Sequence, residues 1–214
     1  MPEALKLIEK AEEAHADLIE VRLDCLEISR KLSDIVAHTK IPLIATNKPL
    51  SEKGYFSGTE TERQKTLIDA AKNGFEYVDL DLPNPKLKES IKEIELQGAK
   101  PIVSFHKFDG SLSVPEMNSI LEKQMASGAN VCKIITAATK VEDNLTILNF
   151  VSTMSSKTNL VCFCMGELGK VSRLLSPMFG AYFTFASLEK GNETASGQIS
   201  IKEMKTAYKL LEQK

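Results

Sequence analysis

Residues 17–24 read DLIEVRLD, and the next three residues are Cys25, Leu26 and Glu27. Ile19, Val21 and Leu23 alternate with Glu20, Arg22 and Asp24, the period-two pattern of a strand with two unlike faces. No glycine follows. A doubly wound dinucleotide fold places a glycine-rich turn after an early strand, so the stretch argues against that layout. A (β/α)8 barrel needs no such turn, and its lower size limit of about 200 residues admits this chain of 214. The expected fold is therefore α/β, a (β/α)8 TIM barrel, with residues 1–214 as one barrel domain.

The rest of the chain repeats the alternation. Further strands are expected at 42–47, 77–82, 100–106, 130–137, 159–165 and 181–187, with helices at 2–15, 59–73, 84–97, 114–127, 141–157, 169–179 and 200–213. Thr59 and Glu62 form a capping-box pattern, and Ser113 precedes Pro115 and Glu116. Gly74, Gly98 and Gly128 follow helices, where a left-handed residue is wanted. Regular βα alternation gives a parallel sheet covered by helices. These strands number seven, and the residues before 17–24 read as a helix, so the first barrel strand is expected to be missing from this sequence, either absent altogether or lost to a recorded start that lies downstream of the true one.

Hydrophobic residues make up 43% and charged residues 26%, a globular balance that excludes a disordered chain. A net charge of −2 builds no basic field, so no nucleic-acid partner is expected. No apolar run reaches membrane-spanning length and no signal peptide is read, so the protein is placed in the cytoplasm, off the membrane. Cys25, Cys132, Cys162 and Cys164 form no CxxC pair and are read as reduced and mostly buried.

Several charges stand where a buried strand would carry apolar residues. Glu20, Arg22 and Asp24 share one face, and Asp79 and Asp81 share another, opposite Val78, Leu80 and Leu82. In a barrel these faces point inward, either toward an active site or into an internal salt-bridge layer. Lys133 interrupts the apolar run Val131 to Ile135. Desolvation favours a neutral amine, which attacks carbonyls to form a Schiff base; the bland alternative is a lysine snorkelling from a strand end. His106 closes its strand at the C-terminal mouth, where barrel chemistry occurs. His15 and His38 are read as surface residues of helical stretches.

Together ADLIEVRLD, IVSFH, VCKII and VSR followed by GQIS resemble type I 3-dehydroquinate dehydratase, over residues 16–201. The resemblance implies a hydro-lyase of the shikimate pathway of aromatic amino-acid biosynthesis. Lys133 would form the imine with 3-dehydroquinate, His106 would move the C2 proton, and Glu52 would partner the histidine. It implies substrate-binding roles for Glu20, Arg22, Lys48, Arg173, Thr194 and Gln198, with no metal and no dissolved cofactor, and it implies a homodimer. Three departures stand out. Lys48 replaces the usual arginine, Thr194 the usual serine, and Ser196 the usual proline. Two alternatives stay open: another Schiff-base lyase or aldolase, and a non-catalytic barrel with a relic site.

Overall fold

The chain is described by a computed structural model covering residues 2–26, 32–191 and 193–211. The charged-and-apolar stretch at its start becomes strand β1 (Ile19–Arg22), preceded by helix α1 (Pro2–Glu13). Four parallel strands follow chain order in the first of two compact units (Met1–Ser104 with Ala126–Asn130). They are β1, β2 (Leu43–Thr46), β3 (Tyr77–Asp81) and the first residues of β4 (Lys100–Lys107). Glu20 pairs with Ile44, Ala45 with Val78, and Asp79 with Ile102. Helices α2 (Leu32–Ala37), α3 (Glu60–Lys72) and α4 (Leu87–Leu96) belong to the same unit. Their apolar residues join a core containing Ile35, Leu67, Phe75, Leu80, Ile91 and Val103.

The second unit takes Phe105–Met125 and Val131–Lys214. It holds α5 (Val114–Ser127), β5 (Val131–Ala137), α6 (Asp143–Met154), β6 (Asn159–Met165), α7 (Lys170–Leu175) and α8 (Ile201–Leu211). β5 and β6 pair in parallel over seven positions, Val131 with Asn159 through Ala137 with Met165. Both strands are buried along almost their whole length, as the apolar runs require.

Local chemistry sets the helix starts. The Thr59 hydroxyl accepts from Glu62 N while the Glu62 carboxylate accepts from Thr59 N, so the expected capping box is present. Ser200 and Glu203 repeat it at α8. At α5 the Ser113 N–H and hydroxyl donate to Glu116. Gly74, Gly98 and Gly128 adopt the positive φ expected of them.

Three expectations are corrected. Residues 181–187 form no ladder. Tyr182 N donates to Leu160 O, and Ser187 makes one isolated bridge to Ser200. The alternating aromatics of this segment pack together instead: Phe185 lies 6.2 Å from Phe163 and 5.5 Å from Phe183, centroid to centroid. The described strands are therefore six. The helix expected over 169–179 ends at Leu175 and tightens into a 3-10 turn over Ser176–Phe179, where Pro177 removes an N–H donor. His15 and His38 lie just past the ends of α1 and α2 and not within them; His15 is exposed as expected, while His38 is half-buried and bonds Glu9 at 3.0 Å.

Candidate active site

In the first unit the charged strand face becomes two linked clusters. Arg22 grips Asp24 through two bonds, Nε to Oδ1 at 2.9 Å and Nη2 to Oδ2 at 2.5 Å. That bond and charge hold the Arg22 guanidinium above its ordinary range, against burial. Burial alone would raise the Asp24 carboxyl; Arg22 and the backbone N–H groups of Tyr55 and Lys48 outweigh it and hold the carboxyl low. Glu20 accepts from the Thr46 hydroxyl at 2.8 Å.

The second cluster is a salt-bridge layer on β3, held by Lys48 and Arg63. The Lys48 ammonium donates to Asp79 at 2.8 Å, to Ser104 Oγ at 2.9 Å, and to Asp81. Ser104 in turn donates to Asp79 at 2.6 Å, and Arg63 Nη1 reaches Asp81 at 3.0 Å. Glu52 sits half-buried on the 3-10 turn Leu50–Glu52 that follows Lys48. Burial and the Asp81 carboxylate push its carboxyl up; Lys48 and Arg63 oppose them.

In the second unit Lys133 occupies the middle of β5, opposite Val161, and is only 5% exposed. Its Nζ lies 4.5 Å from the centre of the Phe185 ring. The snorkelling alternative fails on that burial. Arg173 is 2% exposed. Its guanidinium lies 4.4 Å over Phe163, and Nη1 donates to Phe185 O at 3.4 Å. Lys133 and Arg173 thus meet the same residue, one at its ring and one at its carbonyl.

The placement of Arg173 is built locally. Asn144 on α6 accepts from Ser172 N and donates to Leu168 O, and Ser172 Oγ accepts from Cys164 N. These bonds pin α7 to β6 and turn the neighbouring arginine inward. Among the described residues no carboxylate pairs with it, and its Nε has no hydrogen-bond partner. Burial pulls its pKa down to about 10. A buried cation in that state suits a ligand that brings its own negative charge.

His106 lies half-buried near the end of β4, its ring stacked on Phe108 at 5.8 Å with planes 10° apart. A cleft of about 810 Å³ beside β4 and α5 is lined by His106, Phe108, Leu112 and Lys123. Lys133 and Arg173 do not line it. Thr194 and Gln198 come together in the loop before α8. Gln198 Oε1 accepts from Thr194 N at 2.7 Å and from Ala195 N at 3.3 Å. The loop leans on Gly166, whose N–H donates to Ser196 O. Gly197 has φ 77°, and a Cβ there would stand 2.1 Å from Gly166 O, so only glycine fits.

Sequence reasoning named the two cations and the histidine. It missed Phe185 as the shared neighbour of Lys133 and Arg173, because the aromatic alternation reads as a strand. It missed Arg63 because TETERQ looks like any solvated helix turn; a cation spaced to face Asp81 becomes visible only once β3 and α3 are packed.

A type I 3-dehydroquinase family model matches residues 1–214. A 3-dehydroquinate dehydratase of Dehalococcoides mccartyi is 36% identical over 209 residues, covering 98% of this chain and 91% of the relative. One of Methanococcus maripaludis is 35% identical over 210 residues, covering 96% and 94%. The crystal structure of 3-dehydroquinate dehydratase from Geobacillus kaustophilus superposes with a TM-score of 0.88 at 24% identity, over 97% of this chain and 85% of that one. At that identity the likeness is one of fold, and it establishes the expected α/β barrel class. The match over the full length, together with relatives above 30% identity, shows that this chain belongs to the type I 3-dehydroquinase family.

Proposed function

We propose that this chain removes water from 3-dehydroquinate to give 3-dehydroshikimate, through an imine on Lys133. Family membership supports the reaction, a hydro-lyase step of the shikimate pathway, and the second unit supports the residue roles. One observation carries the reading: a buried lysine and a buried arginine, the latter paired with no carboxylate among the described residues, both abut Phe185.

The amine of Lys133 adds to the C3 ketone and expels water, forming an iminium. The positive nitrogen withdraws electrons and acidifies the C2 hydrogens. His106 takes one C2 proton and leaves an enamine. As the enamine pushes electrons back, the C1 hydroxyl departs as water with the proton His106 returns. Hydrolysis of the imine then restores the Lys133 amine and frees the enone. Arg173 holds the substrate carboxylate, a planar anion matched by a guanidinium fork. Glu52 orients the histidine; Glu20 and Arg22 contact substrate hydroxyls, and Thr194 and Gln198 close over the ring. The residues expected to act need neither metal nor dissolved cofactor. A homodimer in the cytoplasm completes the reading; among the described residues no helix is long and apolar enough to cross a membrane.

Incubation with 3-dehydroquinate and borohydride, then peptide mapping, tests it. The reduced adduct is expected on the peptide containing Lys133, and Lys133→Ala is expected to abolish both adduct and turnover. Turnover by Lys133→Ala at a rate near the parent's would overturn the imine.

A further inference from the structure

The resemblance implies a substrate contact for Lys48, in the place of an arginine. The geometry points to a different role: we propose that Lys48 is a positioning residue that anchors the loop carrying Glu52 to strands β3 and β4, and does not touch substrate. The inference rests on the catalytic reading of Glu52 given above.

The first argument is a count. An ammonium has three N–H donors. Those of Lys48 meet Asp79, Asp81 and Ser104, and the residue is 6% exposed. No donor is left for a substrate oxygen. Burial would pull the ammonium down, but the Asp79 and Asp81 carboxylates hold it above the ordinary lysine range, so it stays a cation. A guanidinium in the same place would present five donors, two more than these partners use.

The second argument is the loop. Its ends close on the Lys48 main chain. Phe56 N donates to Lys48 O at 3.1 Å, and Pro49 bridges Phe56. Gly54 packs so tightly that a Cβ would stand 2.0 Å from Lys48 O. Asp24 accepts from Lys48 N and from Tyr55 N, on the two sides of the turn. Arg63 ties the preceding residue by donating to Asn47 O at 2.8 Å. Glu52 rides at the centre of this closed loop, and the Lys48 side chain is its tie to the strands.

Lys48→Met is the test, read by steady-state kinetics and by backbone amide exchange of the intact protein. Expected are a kcat at least tenfold lower, a KM within threefold of the parent's, and faster exchange at Lys53–Phe56. A KM tenfold higher with kcat and exchange unchanged would make Lys48 a substrate ligand and overturn the proposal. No change in any of the three would overturn it too. Should the single variant fail to fold, Lys48→Met with Asp79→Asn removes one charge of each sign. The same loss confined to kcat is expected of it, and a tenfold rise in KM again overturns the proposal. A parent protein without dehydratase activity sinks the catalytic reading of Glu52; an active parent whose variant is defective in KM alone sinks only this inference.

Discussion

Arg173 sits almost fully buried with an aromatic face, a backbone carbonyl and, among the described residues, no carboxylate for company. A buried cation without a counter-ion costs folding free energy, and an apolar side chain of similar reach avoids that cost. The same cation is what an incoming carboxylate needs. On the proposed binding role, stability and binding pull in opposite directions at this one residue. Arg173→Met is expected to hold or raise Tm by a few degrees, equivalent to about 1–2 kcal/mol. It is expected to raise KM for 3-dehydroquinate by about 100-fold, the loss of a charge-assisted bond worth about 3 kcal/mol. Thermal melts and steady-state kinetics on one preparation check both. A Tm that falls by more than about 5 °C with KM unchanged would make Arg173 a structural residue.

At the scale of elements, the loop before α8, proposed above to close over the ring, depends on one close approach. Gly197 meets the Gly166 carbonyl at a distance no Cβ tolerates, and its φ of 77° disfavours other residues independently. The loop base is tied separately: Ser187 N donates to Ile199 O, and Ile201 N donates to Ser187 O. Gly197→Ala should therefore displace the tip while the base holds. Expected are a KM raised about fivefold to tenfold, the worth of about 1 kcal/mol in closure, and a Tm within about 3 °C of the parent's. An unaltered KM would remove the tip from substrate binding. The same scale shows what the sequence made legible. Strands β1 to β6 were readable because buried parallel strands leave apolar runs or clean alternation. The segment 181–187 carries the same alternation, yet its Phe183 and Phe185 serve aromatic packing against Phe163, and pattern alone does not separate the two uses. Pro177 is a visible breaker, but where a helix tightens rather than stops depends on packing. Lys133 and Arg173 were legible as cations in apolar company or in a motif. The partners of Lys48 were not, because three strands and a helix must assemble before Asp79, Asp81, Ser104 and Arg63 share a neighbourhood.

For the molecule as a whole, a ligand that binds only the folded chain must raise its melting temperature by mass action. The product 3-dehydroshikimate is the useful probe, since the active enzyme does not consume it by the forward reaction. At 100 times Kd, a single site contributes about 2.7 kcal/mol. A chain of this size gains about 2–4 °C in Tm per kcal/mol, so a shift of about 5–11 °C is expected. If Arg173 anchors the product carboxylate, as proposed, Arg173→Met at the same product concentration is expected to lose most of that shift. Lys133→Ala separates the remaining possibilities: it keeps the carboxylate site but cannot form the imine, and it should retain part of the shift while losing the borohydride adduct. A parent protein whose Tm does not move at saturating product, or an Arg173→Met variant that shifts as far as the parent, would contradict the assignment of that buried guanidinium as the carboxylate anchor.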